Sequence, residues 1–234
     1  MKLYDFHVHT KGISKCSHLT YTELCHHLKV DGVDGFVLTN HYAPYHASKP
    51  YDEWLKRYAE EYYLTSVEAE RVGLKAFFGI EVTLPGPRDF LIYGVKPESV
   101  LETDGMLFDY PLEELYAYAH SQNAVLIHAH PYRGGCVPAD PAYIDGVEIN
   151  CHPVYMDSRE ADVRAYAEKY SLRLSCGSDY HGDVYKAHCG VYLPDEIQTE
   201  AQIAEYFRAT QPELLTHVID RDYAKKTMGC GVQY

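Results

Sequence analysis

The sequence predicts an α/β protein in which short buried strands alternate with amphipathic helices. Seven short apolar segments are rich in β-forming residues, most are separated by segments with helical periodicity, and no linker rich in Gly, Pro or Ser divides the 234 residues. Continuous apolar strands of this kind are buried on both faces, and their alternation with helices is typical of a parallel sheet, open or closed into a barrel. We therefore expect a single domain, because α/β barrels reach this length undivided.

The predicted strands cover residues 2–8, 35–39, 75–82, 89–95, 124–129, 146–151 and 172–177. The third and fourth segments follow each other directly, so we expect one strand-to-strand step near residues 82–89. Beyond residue 190 the chain continues with VYLP and, after one more helix, with ELLTHVI at 213–219.

The predicted helices cover residues 20–30, 51–71, 111–122, 158–170 and 201–210. Thr20 and Glu23 have the spacing of a capping box at the start of the first helix. Pro111 suits the first helical position of the third helix. The last residues, 225–234, are expected to form a loose tail.

Composition excludes several classes of function. The formal net charge of −13 opposes a broad electrostatic contact with nucleic acid or with an anionic membrane. No apolar segment reaches the length of a membrane span, and the first residues lack the features of a signal peptide, so we expect a cytoplasmic protein. Seven cysteines without CxxC spacing indicate reduced thiols rather than a disulfide framework or a structural zinc site.

Histidine and carboxylate residues recur where the predicted strands end. His7 and His9 point the same way because they are two residues apart on one strand, a geometry that suits a metal ion. The other polar residues at these positions are Asn40, His41, Glu81, His128, His130, Glu148, Asn150, Asp179 and His181. The carboxyl ends of barrel strands are where such enzymes assemble their active sites. Imidazole and carboxylate ligands without thiolates favour a hydrolytic centre that holds zinc, manganese or iron.

Five segments, in this order, carry a resemblance to a known family: DFHVHT, LTNHY, GIEV, HAHPYR and GSDYHG. They resemble the motifs of the PHP superfamily, named for polymerase and histidinol phosphatase. The resemblance implies a distorted seven-stranded (β/α) barrel of the TIM type with two or three divalent metal ions at the carboxyl ends of its strands. It also implies hydrolysis of phosphoesters, here most simply a small phosphomonoester.

The resemblance implies a set of metal ligands drawn from all five motifs, namely His7, His9, His41, Glu81, His130, Asp179 and His181. Glu81 would bridge the first ion to a second ion that His130 also holds, and His41 with His181 resembles a third site. Catalysis is expected at Glu81, Asp179 and His181, with water as the nucleophile.

Three residues beside these ligands are expected to bind substrate: Arg133, His128 and Tyr42. Arg133 could clamp a phosphate oxygen, with a solvent-exposed surface position as the alternative. His128 is interpreted as a ligand or a neighbour of the ligands, and Tyr42 as a pocket residue or a packing residue.

The chain departs from the family pattern in three places. The segment TKGISKCSH lacks the acid or histidine usual after the first motif, and Cys16 or His18 could substitute. Asn40 replaces the usual Asp beside His41, which could loosen the orientation of that ring. Candidates for a further ligand of the second ion are Asp89, Asp104 and Asp109. A two-metal centre is therefore the safer expectation.

Two other functions remain open from the sequence. The same centre could hydrolyse another ester or an amide, or the chain could be a metal-binding module with weakened catalysis. The sequence leaves the natural substrate, the metal and the oligomeric state undefined.

Overall fold

The computed structural model describes residues 1–86, 88–152, 158–182, 186 and 188–216, which form ten strands and five α-helices. The strands are β1 (Lys2–Val8), β2 (Gly35–Leu38), β3 (His41–Tyr42), β4 (Lys75–Leu84), β5 (Arg88–Tyr93), β6 (Val125–His128), β7 (Gly146–Asn150), β8 (Arg173–Gly177), β9 (Gly190–Leu193) and β10 (Glu213–Leu215). The α-helices are α1 (Tyr21–Asp31), α2 (Tyr51–Arg71), α3 (Leu112–Ser121), α4 (Glu160–Tyr170) and α5 (Glu200–Ala209). Short 3-10 helices cover Pro97–Leu101, Leu107–Asp109 and Pro141–Tyr143.

Nine strands follow one another in a sheet with the order β10–β9–β1–β2–β4–β5–β6–β7–β8, and the short β3 pairs with β4. The two ends of the path from β1 to β8 meet, because Val8 forms a backbone bridge with Tyr180, directly after β8. The amide of Tyr180 donates to the carbonyl oxygen of His7 at 3.1 Å. The sheet is thus a nearly closed, distorted barrel, as the sequence predicts.

The direction of β5 is the main departure from a parallel sheet. The pairs β1–β2, β2–β4, β6–β7 and β7–β8 are parallel, whereas β5 is antiparallel to both β4 and β6. A parallel crossover needs a dozen or more residues, and only three residues separate Leu84 from Arg88. The direct step near residues 82–89 therefore makes a hairpin.

Aromatic and aliphatic side chains fill the interior of the barrel. The ring centroids of Phe6 and Tyr93 lie 5.2 Å apart in an edge-to-face contact. Because β1 and β5 are not neighbours in the sheet, this contact crosses the interior. Phe207 of α5 packs against Phe6, with 5.5 Å between the two ring centroids. A larger apolar cluster lies between the outer face of the sheet and helices α1 to α4.

The predicted helices are all present, and their ends show how they begin. The hydroxyl of Thr20 accepts the amide of Glu23, whose carboxylate accepts the amide of Thr20 in return, so the predicted capping box is confirmed. Pro111 is the residue before α3 and not its first helical residue, so that detail of the prediction is wrong. In that extended position it still orders the chain ahead of the helix.

None of the helices among the described residues is long and apolar enough to cross a membrane. The predicted tail at 225–234 lies outside the described residues, as does the part of the 213–219 segment beyond residue 216.

Candidate metal centre

Side chains from five separate parts of the chain converge at one end of the barrel: His7, His9, His41, Glu81, His130, Asp179 and His181. The carboxylate of Glu81 lies in the middle. Its Oε1 is 3.2 Å from His7 Nε2 and 3.3 Å from His130 Nε2, and its Oε2 is 2.6 Å from His41 Nδ1. A single carboxylate thus faces three imidazoles, which is the arrangement expected of a ligand shared by two cations.

Asp179 provides a second carboxylate on the other side of the histidines. Its Oδ1 lies 3.1 Å from His9 Nε2, 3.4 Å from His7 Nε2 and 3.3 Å from His181 Nδ1. His7 therefore stands between Asp179 and Glu81, although these residues are far apart in the sequence. The structure brings all seven predicted ligands into one cluster.

A β-bulge in β1 turns both histidines of the first motif toward the interior. Asp5 pairs with Phe36 and Val8 with Leu38, so β1 contains one more residue than β2 over this stretch. An extra residue of this kind redirects the side chains that follow it. As a result Phe6 packs in the barrel and His7 also faces inward, although neighbouring residues of a regular strand face opposite sides.

Buried hydrogen bonds and a glycine fix the bulge against β8. Asp5 Oδ1 accepts the amides of His7 at 3.1 Å and Ser178 at 2.9 Å, and burial raises the pKa of this carboxyl to about 7. A Cβ at Gly177 would lie 2.4 Å from the Cβ of His7, so only glycine fits beside that ring. Asp5 and Gly177 therefore set the distance between the first motif and the turn that carries Asp179.

Two residues that the sequence does not identify as site residues orient the histidine rings. Glu148 Oε1 accepts a hydrogen bond from His7 Nδ1 at 2.8 Å, with both side chains fully buried. Ser14 Oγ lies 3.3 Å from His9 Nδ1. A proton on each Nδ1 leaves the Nε2 lone pair directed at the carboxylates, which is the tautomer that metal ligands require.

Asn40 is held rigidly, contrary to the loosening that its neutral side chain suggests. Its Oδ1 accepts the amide of Thr10 at 2.8 Å and the hydroxyl of Ser14 at 2.9 Å, and its Nδ2 donates to Thr10 Oγ1 at 2.9 Å. The amide of His41 in turn donates to Ser14 Oγ at 2.9 Å. An amide side chain therefore satisfies the donors of this loop without a charge.

Electrostatics keep both carboxylates ionised. Burial alone would raise the pKa of Glu81, but the neighbouring His41 and His7 outweigh it and hold that pKa well below its usual value. Burial also opposes ionisation of Asp179, and His7, Arg133 and His181 together lower its pKa well below the usual range. Ionised carboxylates are the form that binds cations.

The pKa values of the two histidines of the first motif shift in opposite directions. Burial works against a charged His7 ring, but Glu148, Glu81 and Asp179 outweigh it and raise its pKa well above the usual value. Burial and repulsion from His181 and His41 lower the pKa of His9 well below the usual value. The carboxylates thus act most strongly on His7, where they are densest.

Two of the predicted ligands have a strained backbone. His130 and Asp179 adopt left-handed conformations with φ angles of 32° and 55°. Such angles cost a non-glycine residue of the order of 1–3 kcal/mol and concentrate at functional sites. The amide of His130 is anchored by Glu148 Oε2 at 3.1 Å.

Arg133 lies at the edge of the cluster, as predicted, with its side chain about 20% exposed. Its guanidinium donates a close hydrogen bond to Asp179 Oδ2 and a second bond to Asn150 Oδ1 at 3.2 Å. Of the three acids considered for the second ion, Asp89 lies beside the cluster, with Oδ2 3.6 Å from His130 Nε2.

His128 and Tyr42, predicted to bind substrate, are not brought to the cluster. His128 stacks on Phe90 at 4.9 Å between ring centroids, and its Nδ1 accepts the amide of Ala139 at 3.1 Å. Tyr42 is fully buried against Trp54, at 5.1 Å between ring centroids. Tyr42 thus takes the packing position that the sequence leaves open, and His128 does not share the face of His130 once the backbone turns at residue 130. Substrate binding by either residue stays a prediction.

Cys16 enters the cluster beside His41 and His46. Its sulfur and one ring nitrogen of each histidine lie within 4.8 Å of one another. Burial raises the pKa of this thiol, but hydrogen bonds from His181, His41 and His46 outweigh burial and lower it to about 4. Of the two substitutes that the sequence suggests after the first motif, Cys16 thus lies at the predicted third site, where the neighbouring histidines favour its thiolate form.

Buried ligand atoms of the cluster lack hydrogen-bond partners, as expected of a site that binds divalent cations. Buried side-chain atoms without a hydrogen-bond partner, counted over the described residues only, include His7 Nε2, which faces Glu81 Oε1 at 3.2 Å. Each such atom costs about 1–3 kcal/mol when it is left without a partner. A cation among the imidazoles and carboxylates would remove that cost with the ligand types that zinc, manganese and iron accept.

Solved structures share the architecture at low sequence identity. PsfC from Pseudomonas syringae has a TM-score of 0.69 with 20% identity over 97% of this chain and 96% of its own. A protein named as a metal-dependent phosphoesterase, from Bifidobacterium adolescentis, has a TM-score of 0.54 with 15% identity over 86% of this chain and 94% of its own. The lesion-specific endonuclease PfuEndoQ from Pyrococcus furiosus scores 0.59 with 16% identity over 91% of this chain and 57% of its own. The chain has the PHP fold.

An amidohydrolase from Chromobacterium violaceum, solved with bound sulfate and no metal, shares the PHP fold with a TM-score of 0.54 and 14% identity over 86% of this chain and 95% of its own. No protein-family model matches the chain, and no curated protein matches it in sequence. The PHP fold of this chain is therefore established by its architecture, while its chemistry has to be argued from the cluster itself.

Proposed function

We propose that the protein is a metal-dependent hydrolase that cleaves a small phosphomonoester at the centre around Glu81. The observation that carries the proposal is the position of this carboxylate between His7 and His130, at 3.2 and 3.3 Å. A bridging carboxylate flanked by imidazoles suits a pair of cations. When bound, such cations lower the pKa of water toward neutrality and stabilise negative charge on a phosphoryl group.

Different residues are expected to bind each ion. His7, His9 and Asp179 would hold the first ion together with Glu81, and His130 would hold the second with Glu81. His41 and His181 are partly exposed and would hold a third. Oxygen and imidazole nitrogen donors of this kind accept zinc, manganese and iron.

Arg133 supports a phosphate as the substrate group. Its guanidinium lies beside Asp179 with part of its surface exposed, so a phosphate that reaches the ions also reaches a fixed positive charge. Arginine binds phosphate oxygens through paired, charge-assisted hydrogen bonds. The partner Asn150, bonded to Arg133 and also to Glu148 at 3.0 Å, keeps the guanidinium in place during binding.

The test is hydrolysis of para-nitrophenyl phosphate by protein that has been stripped of metal and reloaded with zinc, manganese or iron. We expect turnover in the wild-type protein and its loss in His9→Ala and in Asp179→Ala, with circular dichroism unchanged. His120→Ala is the matched control, because His120 lies on the surface in a pair with Asp145 at 3.0 Å. Retained turnover in either site variant contradicts the assignment.

A parallel series of para-nitrophenyl carboxylic esters and anilides distinguishes the alternatives. Faster hydrolysis of an ester or an amide than of the phosphate would place the chemistry with amidohydrolases, a description that one solved structure of this fold carries. Bound metal by elemental analysis without hydrolysis of any substrate would indicate a binding module.

A further inference from the structure

The third site contains a thiol, which is unusual for a centre otherwise made of imidazoles and carboxylates. We propose that Cys16 binds as a thiolate to the cation held by His41 and His181, and that this sulfur makes the position selective for zinc, iron(II) or cobalt(II) over manganese and magnesium. The inference rests on the proposed function for the presence of the ion. The sulfur ligand and the selectivity are additional to it.

The two histidines of the site face each other across a gap that suits an ion. His41 Nε2 and His181 Nε2 are 3.3 Å apart. Two ring nitrogens this close cannot both carry a proton, so at least one lone pair points at the other ring. His181 Nδ1 lies 2.8 Å from the carbonyl oxygen of Asp179, to which it donates, and this leaves the lone pair of that ring on Nε2.

The sulfur of Cys16 lies on the same side of this pair. It is within 4.8 Å of the nearest ligand nitrogens of His41 and His46. The residue as a whole is exposed, whereas the ring of His41 is only about 12% exposed. The sulfur is hydrogen-bonded to both His41 and His181, so two nitrogens and one sulfur are available as ligands.

His46 is the donor that holds the sulfur and does not act as a fourth ligand. Its Nδ1 accepts the backbone amide of Lys15 at 2.9 Å, so the ring proton is on Nε2. That Nε2 lies 3.9 Å from Cys16 Sγ and donates to it. The ring also stacks on His41 with centroids 4.6 Å apart and planes 7° apart, which fixes both rings together. His46 is therefore a positioning residue for the thiolate.

The sulfur determines which cations the site accepts. Thiolate is a soft ligand that binds zinc and iron well, whereas manganese and magnesium prefer carboxylate and water. Beside Asp179 the grouped donors are imidazoles and a carboxylate, as in His7, His9 and Asp179. The centre would thus combine positions without sulfur with one outer position that prefers a softer ion.

Cobalt(II) provides a direct readout, because a cobalt–thiolate bond has an intense near-ultraviolet charge-transfer absorption that nitrogen and oxygen ligands lack. Metal-free protein is titrated with cobalt(II) to three equivalents. We expect the band to appear in the wild-type protein and to be lost in Cys16→Ser. Cys16→Ser should also weaken zinc binding at one position by more than the roughly 10–100-fold that loss of an outer-sphere partner costs.

Cysteines in two other places could also bind cobalt(II), so a variant at each place serves as a matched control. Cys151, Cys176 and Cys189 lie close together elsewhere, with Cys151 Sγ 3.6 Å from Cys176 Sγ, and Cys136 is half-buried. We expect Cys136→Ser and Cys151→Ser to keep the band. A band that survives in Cys16→Ser, or that is lost in either control, overturns the proposal.

Alkylation of the wild-type protein tests the same claim without a substitution. Iodoacetamide is added to metal-free and zinc-loaded protein, and each cysteine is followed by peptide mass mapping. We expect zinc to protect Cys16 at least about tenfold while manganese does not protect it, as their different affinities for thiolate require. Equal rates with and without zinc contradict the proposal. A sulfur–cobalt band without phosphoester hydrolysis would leave this inference intact and reject the proposed function.

Discussion

Glu148 provides the sharpest test of how the cluster is oriented. Its carboxylate accepts three hydrogen bonds from donors that surround it, from His7 Nδ1 at 2.8 Å on Oε1, and from the amide of His130 at 3.1 Å and Asn150 Nδ2 at 3.0 Å on Oε2. Both oxygens therefore act only as hydrogen-bond acceptors, and the Glu148 carboxylate is fully buried. Replacement by Gln in Glu148→Gln removes the charge and sets an NH₂ group against at least one of these donors.

The size of the expected loss of metal affinity follows from that geometry. If the amide oxygen faces His7, the NH₂ group opposes His130 and Asn150, and if it is flipped, the NH₂ group opposes His7. One charge-assisted hydrogen bond contributes about 1.5–3 kcal/mol, and a group without a partner costs about 1–3 kcal/mol more. Loss of an outer-sphere partner lowers metal affinity by roughly 10–100-fold, and we expect Glu148→Gln to reach at least the upper half of that range.

The assay is competition of protein and a chromophoric chelator for zinc, with circular dichroism to show that the barrel is intact. Glu98→Gln is the matched control, because that carboxylate is on the surface, where it accepts a hydrogen bond from Tyr63. Unchanged zinc affinity in Glu148→Gln would refute the view that this residue sets the tautomer and position of His7.

Three further predictions follow from other parts of the structure. Arg133→Ala should raise KM for a phosphomonoester by roughly 10–100-fold, as loss of a hydrogen bond to a charged group requires, with partial recovery in Arg133→Lys, and an unchanged KM by steady-state kinetics would remove Arg133 from the substrate site. Gly177→Ala should lower the free energy of unfolding by about 1–3 kcal/mol through its contact with His7, whereas Gly134→Ala, which meets nothing within 4 Å, should not, and equal urea midpoints would contradict this. Burial lowers the pKa of His128 to about 3, so the unfolded chain binds one more proton than the folded chain below about pH 6.5 and stability falls as the pH falls; His128→Gln should remove about 2 kcal/mol of the loss between pH 6.5 and 4.5 in urea titrations.

The sequence predicted much of the fold because its signals are local. Seven of the ten strands, β1, β2 and β4 to β8, coincide with short apolar runs in the sequence, and each helix is marked by its periodicity or its cap, as at Thr20. The antiparallel direction of β5 was implied by the short step before it, but a parallel sheet was expected because most of the chain alternates.

The cluster was predictable in its members and less so in its surroundings. His7 and Glu81 lie in ordered motifs, and the barrel brings the ends of such strands together. The face of a side chain was harder to predict, because the bulge in β1 and the turn at His130 change the alternation that the sequence suggests. His128 was assigned to the face of His130 for that reason.

Residues that act through others could not be found from the sequence. Glu148 looked like one more polar residue in a strand, and Ser14 lies in a loop without any pattern. Their role depends on distances to residues far along the chain. Cys16 was one of two candidates in its segment, and only the fold places its sulfur near His41.

The central claim is that this end of the barrel holds cations at a shared carboxylate. The most direct measurement is a crystal structure of protein loaded with zinc or manganese, with anomalous scattering to locate the ions. We expect two ions about 3.5–4 Å apart on either side of Glu81, one bound by His7 and Asp179 and the other by His130. Ions bound only elsewhere, or a single ion without contact to Glu81, would contradict the account.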